Sequence, residues 1–354
     1  MAEIQKSANV VFLKDVKSET TEWLWPDKIP LGMYSMLVGV QGGTKSFLSL
    51  YMAAQISTGR PWADGEGKKQ TIGSTIILST EDSVSKTIKP RLQAAQADMG
   101  KIAVIPSFNI GDKTKGLFNL TKDLDVLWDA VKQIPDLRLI IIDPISAYME
   151  GKDENKNSEV REYLMPLSVM AAEKNIAIVG ISHLNKNESA SAEHRVIGST
   201  GISATARAMW LIQTDQKDRD RRKMLFFKGN LSPKTTGLAY RITSAPIVTE
   251  DGKTGQVGYC LFEKGILLET AKEELAPPQG QNGRPRKQES AGDWLWKYLS
   301  DGPKPAADVY RDGKTEGYSE RTLQNVKKKD EIQAVKNTLP EGGGYWEWSL
   351  PTLD

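Results

Sequence analysis

The stretch Tyr34-Ser35-Met36-Leu37-Val38-Gly39-Val40-Gln41-Gly42-Gly43-Thr44-Lys45-Ser46 (YSMLVGVQGGTKS) governs the reading of the whole chain. An apolar run of strand length ends on glycine, a polar glycine-rich turn follows, and Lys-Ser opens a segment in which Phe47, Leu50 and Ala54 recur at helical spacing. Strand, turn and helix form the context that gives the pattern G-x-x-x-x-G-K-[ST] a physical meaning. Glycines 39, 42 and 43 let successive backbone N–H groups turn inward around phosphate oxygens, and the start of the helix adds partial positive charge. Lys45 is expected to neutralise the β and γ oxygens of ATP, and Ser46 to ligate Mg²⁺. One position departs from the pattern: Thr44 stands where the second glycine belongs, and a β-branched residue resists the positive φ of a tight nest. The competing reading is a glycine-rich turn that only joins a strand to a helix.

Further along, residues 137–143 place Ile140, Ile141 and Ile142 before Asp143. A carboxylate at the carboxyl end of a buried strand can hold the magnesium shell beside such a loop, so Asp143 joins Ser46 as a candidate metal residue. A helix cap would use the same acid. Glu81 and Asp82 follow the apolar run 75–80 directly, and ligands of open α/β sheets gather at the carboxyl ends of strands. Glu81 is therefore a candidate to orient or deprotonate an attacking water, with capping of the helical stretch 83–97 as its alternative. His183 closes the run 176–183 at the same edge and is placed to report on a γ-phosphate, or is an ordinary surface histidine. The polar, small-residue stretch 185–200 behind it is long for an inert loop.

These runs belong to a wider alternation. Candidate strands at 34–40, 75–80, 102–105, 137–143, 176–183 and 209–214 alternate with helical spacing at Leu124, Leu127, Trp128 and Val131, and at Val160, Leu164, Leu167 and Ala171. That pattern predicts an α/β core with a mostly parallel sheet. After Met209 the helices stop. Residues 223–228, 238–243 and 258–263 read as antiparallel strands joined by turns such as Asp251-Gly252, extending one edge of the sheet.

The length of 354 residues accommodates about two domains. With 39% hydrophobic and 26% charged residues, the chain can bury a core and is neither disordered nor fibrous. Its longest apolar runs fall far short of a membrane span, and residues 1–9 lack a hydrophobic signal core, so no membrane association and a cytoplasmic location are expected. The single Cys260 excludes a disulfide framework, and two histidines, His183 and His194, are too few for a histidine-rich metal site. Any metal must be held by oxygen. The 47 basic and 45 acidic residues give a net charge of +2, so a nucleic-acid partner has to be argued from local features.

Taken in order, the motifs resemble the RecA-like P-loop ATPases, and most closely the RepA-type hexameric replicative helicases. The resemblance runs from about Glu22 to Tyr240. It includes 23–32 (WLWPDKIPLG), the glycine-rich loop, 53–62 (AAQISTGRPW), 78–82 (LSTED), 87–92 (TIKPRL), Asp143-Pro144, Ser182-His183 and 198–207 (GSTGISATAR). It implies Glu81 as general base, Asp143 at the metal and His183 as phosphate sensor. It also implies a homo-oligomer, hexameric by preference, with nucleotide between subunits and a basic residue reaching in from the neighbour. Arg207 and Lys228 match that role; as surface residues they would be plain ion-pair partners. The loops after Asp143, with Lys152 and Lys156, and after His183 would line a channel for single-stranded DNA.

Three domains of the sequence follow: a RecA-like ATPase core at 1–270, a Pro- and Gly-rich linker at 271–288 and a small module at 289–354. In the module, Trp294, Leu295 and Leu299 give a first helix, 305–310 a second, and Ser319 caps a third at 320–329, followed by a turn and strand. Thr322, Leu323 and Val326 point one way, with Arg321, Gln324, Asn325 and Lys328 opposite. The whole resembles a winged helix-turn-helix, in which Arg321, Gln324 and Lys328 would meet duplex DNA. Nine basic against twelve acidic residues from Glu289 on oppose that use, and protein docking is the alternative. The expected activity is that of an ATP-hydrolysing, DNA-dependent motor in replication or recombination. A non-translocating, nucleotide-regulated DNA-binding loader or regulator is the rival.

Overall fold

A computed structural model describes residues 10–105, 108–110, 114–116, 118–120, 122–149, 157–184, 205–275, 291–338 and 344–351. Lys152, Lys156 and the greater part of both loops expected to touch DNA lie outside the described residues. The chain divides into two compact units, Met1–Ala276 and Pro277–Asp354.

The first unit opens with a short hairpin, β1 (Trp23–Trp25) and β2 (Ile29–Pro30). Then come β3 (Tyr34–Gly39), α1 (Lys45–Thr58), β4 (Ser74–Ser79), α2 (Lys89–Ala94) and β5 (Ile102–Val104). A two-stranded ribbon of β6 (Phe108–Ile110) and β7 (Thr114–Gly116) precedes α3 (Leu124–Gln133), β8 (Leu137–Asp143), α4 (Asn157–Lys174), β9 (Ala177–His183) and β10 (Ala208–Thr214). Three long strands finish the sheet: β11 (Arg221–Gly229), β12 (Leu238–Val248) and β13 (Thr254–Phe262).

The nine strands are ordered β13-β12-β11-β10-β3-β9-β8-β4-β5, parallel from β10 to β5 and antiparallel from β10 to β13. Both faces of the parallel part are buried, which is why its strands read as nearly unbroken apolar runs. Alternation decides which side each residue feeds. Met36, Val38, Ile140 and Ile142 pack with Leu127 and Val131 of α3 and Leu164, Leu167 and Met170 of α4. Leu37, Leu139 and Ile141 pack with Leu48, Met52 and Ile56 of α1 and Leu92 of α2. The helices thus pin β3, β8 and β9 side by side, and the carboxyl ends of these strands form one edge.

Two sequence expectations change. The single helix expected over 83–97 is a π-helical turn, Val84–Ile88, running into α2; Ser83, which accepts from Lys86 N–H at 3.2 Å, is its cap. The stretch 271–275, read as the start of the linker, forms α5 (Ala271–Glu274) and packs on the first unit. Thr270 and Glu273 close a capping box, Ala271 and Leu275 are buried, and Glu274 pairs with the buried Lys223 at 2.8 Å.

The second unit has α6 (Ala291–Leu299), β14 (Lys304–Pro305), α7 (Ala306–Thr315), α8 (Glu320–Lys329), β15 (Gln333–Thr338) and β16 (Gly344–Ser349). Its antiparallel sheet is ordered β14-β16-β15. Trp294, Leu295, Leu299, Val309, Leu323, Ile332 and Trp348 make a core of its own.

Candidate active site

The loop after β3 is built by close backbone approach. A Cβ on Gly39 would lie 2.3 Å from the Ile212 carbonyl oxygen of β10, so the strand must end on glycine. Gly42 has φ +72°, and Thr44, directly before α1, has φ +67°. The left-handed conformation costs a β-branched residue about 1–2 kcal/mol, yet Thr44 adopts it. The N–H groups of Lys45, Ser46 and Phe47 precede the first intrahelical bond, which Leu48 N–H makes to the Thr44 carbonyl at 3.2 Å, so the helix leaves them for a ligand.

Lys45, the first residue of α1, is 4% exposed. Its Nζ donates to the carbonyl oxygens of Gly39 at 2.9 Å and Val40 at 2.7 Å, and lies 3.2 Å from His183 Nδ1. An ammonium has only donors, so Nδ1 is the acceptor and the imidazole carries its proton on Nε2, 3.7 Å from Glu81 Oε1. Burial pulls the Lys45 ammonium down to about 8, partly opposed by Asp143 and Glu81.

Ser46 Oγ donates to Asp143 Oδ2 at 2.6 Å. Asp143, 7% exposed at the end of β8, is pushed up to about 6, first by burial and then by the charges of Glu81 and Asp82, while the Ser46 hydrogen bond and Lys45 act the other way. With Ser83 serving as cap, neither Glu81 nor Asp82 is needed for that task. Asp82 instead holds Arg91 at 3.1 Å, and the Arg91 guanidinium lies over the Phe47 ring, 4.1 Å from its centroid. Arg91 stood in the quoted 87–92 segment without a role, and its contacts put it on the wall of the site. These residues line a cavity of about 290 Å³ that runs from Gln41 to Phe47 and takes in Glu81, Asp82, Arg91, Asp143 and His183.

A larger cavity, about 450 Å³, lies among loops at 26–28, 64–70 and 234–236. Four of the charged residues that line it form two ion pairs, Lys28 with Asp64 at 2.5 Å and Asp27 with Lys234 at 3.0 Å. Chemistry therefore favours the smaller cavity.

Gly39, Gly42, Gly43, Thr44, Lys45, Ser46, Glu81, Asp143 and His183 come together as expected. Arg207 and Lys228 do not join them. Arg207 precedes β10, its N–H bonded to the Tyr34 carbonyl at 2.9 Å, and Lys228 pairs with Met209. Ala208 is level with Ser35 and Ile212 with Gly39. Arg207 thus lies at the amino end of the sheet, more than about 13 Å from the loop at 3.3 Å per residue.

Among the described residues no cluster of three or more His, Cys, Asp or Glu side chains could cage a metal. One hydroxyl and one carboxylate beside a phosphate nest fit Mg²⁺, which keeps most of its shell as water and phosphate oxygen. Strand, phosphate loop, helix and an acid on a nearby parallel strand define a P-loop nucleotide site. The family pattern described as AAA domain matches residues 4–189, just over half of the chain. The chain belongs to that family of P-loop ATPases. No curated protein matches the chain. No helix among the described residues is long and apolar enough to cross a membrane.

Proposed function

We propose that the protein is a DNA-dependent ATP motor of the RecA-like, RepA-helicase type, acting as a ring of copies in replication or recombination. The observation that carries this reading is the division of labour along the sheet. Lys45, Ser46, Glu81, Asp143 and His183 gather at the carboxyl edge, while Arg207 and Lys228 sit at the amino edge. The Arg207 side chain cannot span that gap within one chain, which supports a head-to-tail arrangement in which the two cations serve a nucleotide held by the next copy.

Within the site each residue has a task. Lys45 exchanges its own loop carbonyls for phosphate oxygens, and Ser46 and Asp143 would hold Mg²⁺, which would supply positive charge to the phosphates. Glu81, at the mouth of the cavity, takes the proton of the attacking water. His183 is hydrogen-bonded to Lys45 on one side and faces Glu81 on the other. It therefore registers whether Lys45 is engaged, and it stands at the root of the loop that follows β9.

Three helices and a small antiparallel sheet suit a winged helix-turn-helix as the second unit. Arg321, Gln324 and Lys328 are exposed on α8, and Gln324 donates to the Tyr310 hydroxyl. A non-translocating, nucleotide-regulated loader is the second reading, favoured by one observation: the Lys45 ammonium already has three acceptors, two loop carbonyls and His183 Nδ1.

ATP turnover by the full chain, with and without a single-stranded oligonucleotide, tests both. The motor requires DNA-stimulated turnover that disappears in Lys45→Ala and Glu81→Gln. Nucleotide binding without turnover supports the loader.

A further inference from the structure

The strained residue of the phosphate loop has a partner nearly two hundred positions away. Thr44 Oγ1 lies 2.6 Å from the Gly43 carbonyl oxygen and 2.9 Å from the Tyr240 hydroxyl. A carbonyl can only accept, so the threonine proton goes to Gly43 and Tyr240 donates its own proton to Thr44. Tyr240 is fully buried on β12, with its ring centroid 5.3 Å from that of Phe262. Burial holds the phenol far above its ordinary range, so it stays a donor at any working pH.

We propose that Tyr240 is a positioning residue of the nucleotide site: its hydroxyl holds Thr44 in the left-handed conformation that glycine adopts freely, and thereby sets the curvature of the phosphate loop. The proposal rests on the reading of residues 39–46 as the nucleotide site. The usual glycine before the lysine makes the turn through lack of a Cβ. Here Thr44 makes it through one hydroxyl that donates to Gly43 and accepts from Tyr240, and only the bond to Tyr240 ties that hydroxyl to another element. Without the phenol, Thr44 keeps a bond to the residue beside it, which does not anchor the loop to the sheet. The loop shape with converging amides then becomes one of several, and apparent affinity falls by the fraction that remains competent.

Calorimetric titration of the full chain with MgADP tests this through a double-mutant cycle. Tyr240→Phe keeps the buried ring and loses only the hydroxyl, and is expected to raise Kd about three- to tenfold, the size of one hydrogen bond. Thr44→Ser, which keeps the acceptor, is expected to stay within about twofold of the natural protein. In a Thr44→Gly background the same Tyr240→Phe change should move Kd by less than about twofold, because glycine needs no support. Melting temperature should move in the opposite sense. Thr44→Gly leaves the buried phenol without its acceptor and lowers it, and adding Tyr240→Phe recovers the loss.

Equal shifts in Kd in both backgrounds, or none in either, would overturn the proposal. Lys45→Ala separates it from the reading beneath it. Unchanged MgADP affinity in Lys45→Ala removes the site itself, whereas loss there with no change in Tyr240→Phe removes only the role of Tyr240.

Discussion

Ser46 Oγ donates to Asp143 Oδ2 at 2.6 Å, joining the first turn of α1 to the end of β8 across 97 positions of sequence. The contact brings a hydroxyl and a carboxylate to one point beside the phosphate loop, with two parallel strands and a buried helix fixing the distance. Asp143→Asn keeps the shape and removes the charge. The Mg²⁺ concentration that supports half-maximal ATP turnover is expected to rise by roughly 10–100-fold. An unchanged magnesium requirement would take Asp143 out of the metal site.

Lys45 carries a pH signature. Burial pulls its ammonium down to about 8, so at pH 8.5 roughly a quarter of free sites are charged. A triphosphate beside Nζ favours the charged form and raises that value, so binding at pH 8.5 must take up a proton, roughly three quarters of one per site. Calorimetry in two buffers of different ionisation enthalpy reads the uptake directly. Lys45→Arg, charged at every working pH, is expected to bind with no such uptake. Absence of uptake in the natural protein would contradict the depressed value.

How far this site was legible in the sequence follows from the range of the forces involved. Gly39 through Ser46, Asp143, Glu81 and His183 each close an apolar run, and a parallel sheet brings the ends of such runs to one edge whatever lies between them. Helix α5 also left a readable mark, the Thr270–Glu273 capping box, which the surrounding prolines and glycines outweighed. The β1–β2 hairpin left less, because strands of three and two residues are too short for a period to register. Tyr240 left none: its role is a contact to Thr44 196 positions away, created by the antiparallel strands that carry it past the end of β3. The cost of the threonine could be read locally; its remedy is tertiary.

Arg207 and Tyr34 are joined backbone to backbone at 2.9 Å, which fixes the arginine at the far end of the strand that leads into the phosphate loop. If Arg207 serves the next copy in a ring, Arg207→Ala and Glu81→Gln each inactivate every interface on their own. Mixed at equal ratio, one supplies the base and the other the arginine, and roughly a quarter of randomly assembled interfaces are intact. Turnover recovering toward that fraction is the expected result of a mixing titration. No recovery at any ratio would place the arginine outside a shared site.

The second unit permits a test that separates folding from binding. A Cβ on Gly313 would lie 2.6 Å from Leu323 Cδ1 and 3.2 Å from the Trp294 ring, and both residues belong to the small core. Gly313→Ala therefore overpacks that core and is expected to destabilise the unit by about 1–3 kcal/mol, seen as an earlier thermal transition. Arg321 and Lys328 are exposed on α8, and Arg321→Ala and Lys328→Ala should leave that transition in place. If α8 lies against a DNA backbone, each weakens duplex affinity and lowers the slope of log K against log salt by about one. Affinity lost in Gly313→Ala but unaltered in both surface variants would move the contact to another face of the unit, because the core would matter while α8 would not.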